Sequence, residues 1–279
     1  MVVALALGAA LMYGLSDFLG GLVSRRASVW GVAVITQCTA AVLIAIAAIV
    51  LPGRPETADW LWGALAGVGI GTGTGFLYRG LASGRMGIVA PLSAVGAALL
   101  PVLVGLVTGE RPPLLTWIGI AAAVPAIWLV SSTAGSDTPA GGRFGEGVVD
   151  GLLAGLGFGL MFSALAQVPE QAGLGPLAVA EVTSVPAVGV LAWALGHNWL
   201  PRERLAGWGA VVGALAAGAS VLFLFASQTG LLTVAAVITS LYPVFTILLA
   251  TTILRERIHG PQAVGLVLAG VAVSLIALG

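Results

Sequence analysis

A chain of 279 residues that is 59% hydrophobic and only 8% charged, with a mean hydropathy of +1.09, lies far from soluble domains, where charged residues run to about 25%. Eleven acidic residues balance eleven basic ones, all of them arginine, so there is no broad cationic surface for nucleic acid. One cysteine, Cys38, and two distant histidines, His197 and His259, exclude an internal disulfide and argue against a zinc site or haem attachment, so no metal or cofactor is expected.

A spanning helix needs about 20 mainly apolar residues, and the charges and turn-formers cut the chain into ten such segments. They run over 2–23, 29–51, 60–80, 86–108, 114–132, 147–167, 174–196, 205–227, 232–254 and 261–278. The first has no positive residue before it and is too long for a signal-peptide core, so it reads as a retained helix. The cuts include Ser24-Arg25-Arg26, the polar stretch 52–59, Gly84-Arg85, Glu110 to Pro113, the long linker 131–145, Pro169-Glu170, 201–204, Gly230 and 255–261. Most of the 41 glycines and many of the 14 prolines sit inside the apolar runs, where membrane helices tolerate them.

Sliding the chain on itself by 146 positions superposes Trp62-Gly63-Ala64-x-x-Gly67 on Trp208-Gly209-Ala210-x-x-Gly213, and Glu110-Arg111 on Glu256-Arg257. Ten identities over the 59 pairs from Trp62 to Ile120 are few for so Ala/Gly/Leu/Val-rich a chain; the tryptophan and Glu-Arg matches carry the weight. A shift of 145 aligns Tyr13-Gly14 with Phe158-Gly159. The units are 1–133 and 147–279, joined by a linker over 134–146. Because five helices is an odd number, the second unit enters the membrane from the opposite face, which gives an inverted repeat of the kind that secondary transporters build around a midplane site.

Ten helices in two five-helix halves, Pro243-Val244-Phe245 in the ninth segment and Glu256-Arg257 thirteen and fourteen residues later resemble the EamA family of the drug/metabolite transporter superfamily. In the first half the matching run is Val89-Ala90-Pro91-Leu92-Ser93 through Gly109-Glu110-Arg111, with Ala97 at the family's proline position and Pro101 four residues on. Tyr13-Gly14 stands where the family more often has Trp-Gly. The resemblance implies an all-α integral membrane protein of ten transmembrane helices, two inverted five-helix repeats around a central cavity. It further implies a monomeric or weakly oligomeric transporter in the plasma membrane, with a small-molecule substrate and the lipid bilayer as its partners.

Charges inside spans cost about 3 kcal/mol or more near the midplane and are functional candidates by default. Asp17 lies one helical turn after Tyr13, on the same face, and Arg79 ends the third segment on the same side of the membrane; the two are placed to pair. The competing reading has Arg79 snorkelling to the interface and Asp17 reaching headgroup water. Glu181 lies about seven residues into the seventh segment, within one position of Gln37 in the repeat alignment. It is a candidate for a coupling proton site or, equally, for a buried structural hydrogen bond. Tyr78 and Tyr242 complete the polar-aromatic set; Ser93, Gln228, Thr239 and Ser240 are neutral groups that either bind substrate or join helices. Pro91 and Pro243 are candidate hinges.

The run from Gly67 to Gly75 mimics a phosphate-binding loop, but it lies in a span with no preceding strand. Gly67, Gly71 and Gly75 form one small-residue stripe, Gly69 and Gly73 a second, and both read as grooves for close helix contact; Gly209, Gly213 and Ala217 repeat the pattern. Nine of the eleven arginines, including Arg79, lie toward the side opposite the termini, so the positive-inside rule puts the termini outside, whereas the family expectation puts them in the cytoplasm.

The expected function is a secondary transporter, an exporter of small metabolites such as amino acids or related compounds, working by alternating access with proton or ion coupling. The spans hold no histidine and no HExxH, so an enzyme is not expected. An intramembrane enzyme and a non-transporting scaffold subunit are the rival readings.

Overall fold

The computed structural model describes residues 1–24, 26–82, 86–131, 144–201, 203–253 and 260–279, and everything regular in them is helical. In chain order the helices are α1 (Val2–Ser24), α2 (Val29–Val50), α3 (Thr57–Ala82), α4 (Met86–Val107), α5 (Leu114–Ser131), α6 (Phe144–Leu165), α7 (Gly175–Ala194), α8 (Gly209–Thr229), α9 (Leu232–Thr239), α10 (Tyr242–Ile253) and α11 (Gly260–Leu278). Among the described residues seven stretches are long and apolar enough to cross a membrane, and 92–107 and 114–130 are shorter apolar helices. The long helix α3 falls outside that set because its glycines and threonines dilute its apolar content. Large apolar side chains such as Ile49, Val107 and Trp193 are exposed, as expected where lipid is the solvent.

The expected ninth helix over 232–254 is not continuous. It breaks between α9 and α10, where Leu241 N–H bonds Ile238 and Val244 N–H bonds Leu241 in tightened turns. The cause is local: Pro243 has no N–H to offer the Thr239 carbonyl, and its ring disfavours the helix before it. The equivalent of Pro243 in the first half is Ala97, and α4 runs unbroken through it. Residues 254–259, with the second Glu-Arg pair and His259, lie outside the described residues, as does most of the linker.

The halves exchange contacts as a twofold relation requires. Helix α3 packs on α7 as α8 packs on α2, α4 lies along α6 as α9 and α10 lie along α1, and α5 pairs with α11. The glycines record the register. A Cβ on Gly14 would meet the Tyr242 carbonyl at 2.8 Å, and one on Gly159 would meet the Gly96 carbonyl at 3.0 Å; Gly96 and Tyr242 are 146 positions apart. Gly119 packs on Ile276 and Gly265 on Val130, again the same contact twice.

The glycine run in α3 is a packing device. Gly63, Gly67 and Gly71 lie against Pro176, Ala180 with Thr183, and Ser184 of α7; Gly69 and Gly73 lie against Gly157 and Phe158 of α6. Two faces of one helix are thus stripped of side chains so that two neighbours approach at backbone distance, the small-residue mode of membrane packing. Gly209 and Gly213 do the same for α8 against Val32 and Thr36 of α2.

Candidate functional site

The axis between the halves is not filled. A cavity with about 610 Å³ of empty space, counting its open part, is lined by Tyr13, Ser16 and Asp17 of α1, Thr36 and Gln37 of α2, and Ile70, Thr74, Leu77 and Tyr78 of α3. The second half contributes Phe158, Met161 and Phe162 of α6, Glu181 of α7, Ala216 and Ser220 of α8, and Tyr242 of α10.

Each polar group is placed by its helix. Tyr13 and Asp17 emerge one turn apart on the inner face of α1, and Gly14 between them lets that helix close on α10 at Tyr242. Gly20 leaves room for the Tyr78 hydroxyl, which a Cβ there would meet at 2.6 Å. The Tyr13 hydroxyl is 3.1 Å from Ser220 Oγ, and Glu181 lines the same cavity, so α1, α7 and α8 bring polar groups to one space. Tyr242 shares a hydrogen bond of 3.2 Å with Ser93 Oγ, tying α10 to α4. Asp17 lines the same cavity as Tyr13, Tyr78 and Tyr242. Glu181 and Gln37 are each 2% exposed, and Gln37 Nε2 has no hydrogen-bond partner. Phe162 lies tilted against Phe223 with centroids 4.2 Å apart and against Tyr13 at 6.2 Å, an apolar floor toward the side of the termini.

The expected pairing of Arg79 with Asp17 does not occur. Arg79 Nε donates to Asp150 Oδ1 at 2.9 Å, its Nη2 also contacts Asp150, and its guanidinium lies over the Phe76 ring, 4.9 Å from the centroid. This ion pair joins α3 of the first half to α6 of the second, with Arg79 30% exposed and Asp150 4%. Arg79 sits one residue past Tyr78, so its side chain leaves the helix about 100° away from the cavity.

Four other sequence candidates do not line the cavity. Gln228 Nε2 donates to the Val168 carbonyl at 3.2 Å, near the side of the termini. Ser93 supports Tyr242 from behind. Thr239 and Ser240 are buried at the helix break, with no hydrogen bond to their hydroxyls among the described residues. Pro243 is buried in the first turn of α10, a place where its missing N–H is tolerated. Pro91 lies in α4, and its side chain is outside the described residues.

The residues that sequence reasoning passed over carry a signal in the repeat. Tyr13, Ser16 and Asp17 fall on Phe158, Met161 and Phe162 at a shift of 145, Thr36 on Glu181 at the same shift, and Ile70 and Thr74 on Ala216 and Ser220 at 146. Every one of these residues lines the cavity. Extending the register from the matched motifs to unmatched residues would have found Thr74, Ser220 and the α6 set.

A model of the EamA-like transporter family matches the chain twice, over residues 1–132 and 145–278. The chain belongs to the EamA-like transporter family. The two matches cover nearly the whole chain, so this EamA-like protein consists of two copies of the family unit and is a multi-pass membrane protein of the transporter type. A solved structure described only as a crystal structure of a protein superposes with a TM-score of 0.73 over 99% of this chain and 96% of its own, at 16% identity, a likeness of fold alone. No curated protein matches.

Proposed function

We propose that the chain is a secondary transporter that exports small polar or amphipathic metabolites across the plasma membrane by alternating access. Two inverted five-helix halves, 1–133 and 147–279, move about the central cavity, and α9 with α10 acts as the ninth, hinged, span at Pro243. The observation that carries this reading is the cavity itself: its lining comes from both copies of the repeat, so any relative movement of the halves changes its access. Asp17 and Glu181 are the groups proposed to exchange protons or a coupling cation, since ionisable side chains inside spans mark such pathways. The chain works as a monomer or weak oligomer. Support for a hinge comes from the tightened turns around Leu241.

Counterflow of labelled metabolites in proteoliposomes tests the reading. Uptake that depends on unlabelled substrate inside the vesicle and falls in Glu181→Gln is the expected result. No counterflow across a broad panel that includes amino acids, amines and nucleosides, from protein that is folded by circular dichroism, overturns it. Labelling of a cysteine appended to the C-terminus of intact cells decides between the arginine distribution and the family expectation for the side of the termini.

A further inference from the structure

We infer that the cavity takes a cation, a small amphipathic amine or quaternary ammonium compound, in preference to zwitterions or anions. This rests on the transporter reading of the same cavity and adds the substrate class. Two ionisable carboxyl groups line the cavity, Asp17 and Glu181; among the described residues no basic side chain lines it. Arg79 is held outside it by Asp150 and Phe76. Asp17 lines the cavity, and the one ion pair among the described residues, Arg79–Asp150, does not include it.

The repeat sharpens the point. Equivalent positions of α1 and α6 carry Tyr13, Ser16 and Asp17 in one half and Phe158, Met161 and Phe162 in the other. At these positions α1 is polar and carries Asp17 while α6 is apolar and aromatic, and Glu181 and Ser220 of the second half add to the polar part, so the cavity sets two acids beside an apolar, aromatic wall, which fits a ligand charged at one end and apolar at the other. An ammonium group finds a carboxylate and aromatic faces. A ligand carboxylate finds two acidic groups and, among the described residues, no basic side chain, which disfavours it. Gln37 supplies an independent sign of a ligand: it is 2% exposed, lines the cavity and has an Nε2 with no partner, a donor suited to a neutral oxygen on the same molecule.

The test uses four probes that share a phenyl ring and differ in charge: phenethylamine, phenylalanine, 3-phenylpropanoate and 2-phenylethanol. Binding to the full chain in detergent is measured by calorimetry at neutral pH, and counterflow of the same compounds in proteoliposomes. Phenethylamine is expected to bind about tenfold or more tighter than 2-phenylethanol, the gain of a charged over a neutral hydrogen-bonding group, with phenylalanine and 3-phenylpropanoate weaker still. That preference is lost in Asp17→Asn/Glu181→Gln and kept in Glu170→Gln, which removes a carboxylate outside the cavity. Equal or tighter binding of the zwitterion or the anion, no preference for the amine, or a preference that survives in the double variant overturns the inference. Counterflow of phenylalanine without amine preference overturns the substrate class and leaves the transporter reading standing. Amine-selective binding without counterflow by any probe does the reverse.

Discussion

Glu110 makes a strong test because one side chain joins the two copies of the repeat. Helix α4 ends in a Schellman turn, with Glu110 N–H bonding the Gly105 carbonyl at 2.8 Å, Gly109 N–H bonding Leu106 at 3.2 Å and Gly109 at φ 101°, a conformation that favours glycine. The turn delivers the Glu110 carboxylate to the start of α9, where it accepts from Leu232 N–H at 2.6 Å, Thr233 N–H at 3.0 Å and the Thr233 hydroxyl. Three hydrogen bonds in a membrane protein, at about 0.6 kcal/mol each, give about 2 kcal/mol. The negative charge at a helix N-terminus adds about 0.5–1 kcal/mol. Glu110→Ala should therefore destabilise by about 2–3 kcal/mol. Glu110→Gln, which keeps one accepting oxygen and loses the charge, should cost about half as much. Unfolding in mixed micelles by denaturing detergent, followed by circular dichroism, reads both. Thr233→Val should add little in the Glu110→Ala background and about 0.6 kcal/mol or more in the parent. A loss under about 0.5 kcal/mol for Glu110→Ala, or full additivity with Thr233→Val, refutes the account.

Three further outcomes follow from the packing. Gly67→Ala, whose methyl would collide with Thr183 and the Ala180 carbonyl, should cost about 1–3 kcal/mol by overpacking, while Gly189→Ala and Gly270→Ala, which meet nothing within 4 Å, should be neutral or stabilising; the same detergent titration ranks them. The Arg79–Asp150 pair should fail asymmetrically: Arg79→Leu strands a carboxylate that is 4% exposed and should cost about 3 kcal/mol, whereas Asp150→Leu leaves a 30% exposed guanidinium that reaches water and should cost about 1 kcal/mol. The reverse order in thermal melts contradicts the burial argument. Pro243→Ala restores an N–H for the Thr239 carbonyl, and should raise the melting temperature while slowing counterflow; unchanged transport rules out a hinge at that break.

How far the sequence carries can be argued from three positions. Asp17 and Tyr13 were legible because helical periodicity fixes which residues share a face, and a carboxylate four residues from a tyrosine in an apolar run has few reasons to be there. Arg79 was misread because periodicity gives direction only relative to its own helix; one residue past Tyr78 is enough to turn it from the cavity to Asp150, and that partner lies across the repeat interface, at a separation no local pattern encodes. Pro243 shows the intermediate case. The difference between Ala97 and Pro243 was visible in the alignment of the halves, and elementary backbone chemistry converts it into one continuous helix, α4, and one broken pair, α9 and α10. The same logic makes the cavity asymmetric. A duplicated unit begins with identical linings, and each later substitution acts on one side only, so the polar set at Tyr13, Ser16 and Asp17 and the apolar set at Phe158, Met161 and Phe162 are independent choices at equivalent positions. Exchanging Asp17 and Phe162 in one double variant would therefore move that carboxylate across the pseudo-twofold axis while keeping the lining's composition, and the orientation of a bound amphipathic amine should change with it, read by whether Tyr13→Phe or Tyr242→Phe costs more amine affinity in the parent and in the exchanged variant; the same ranking in both backgrounds refutes the change.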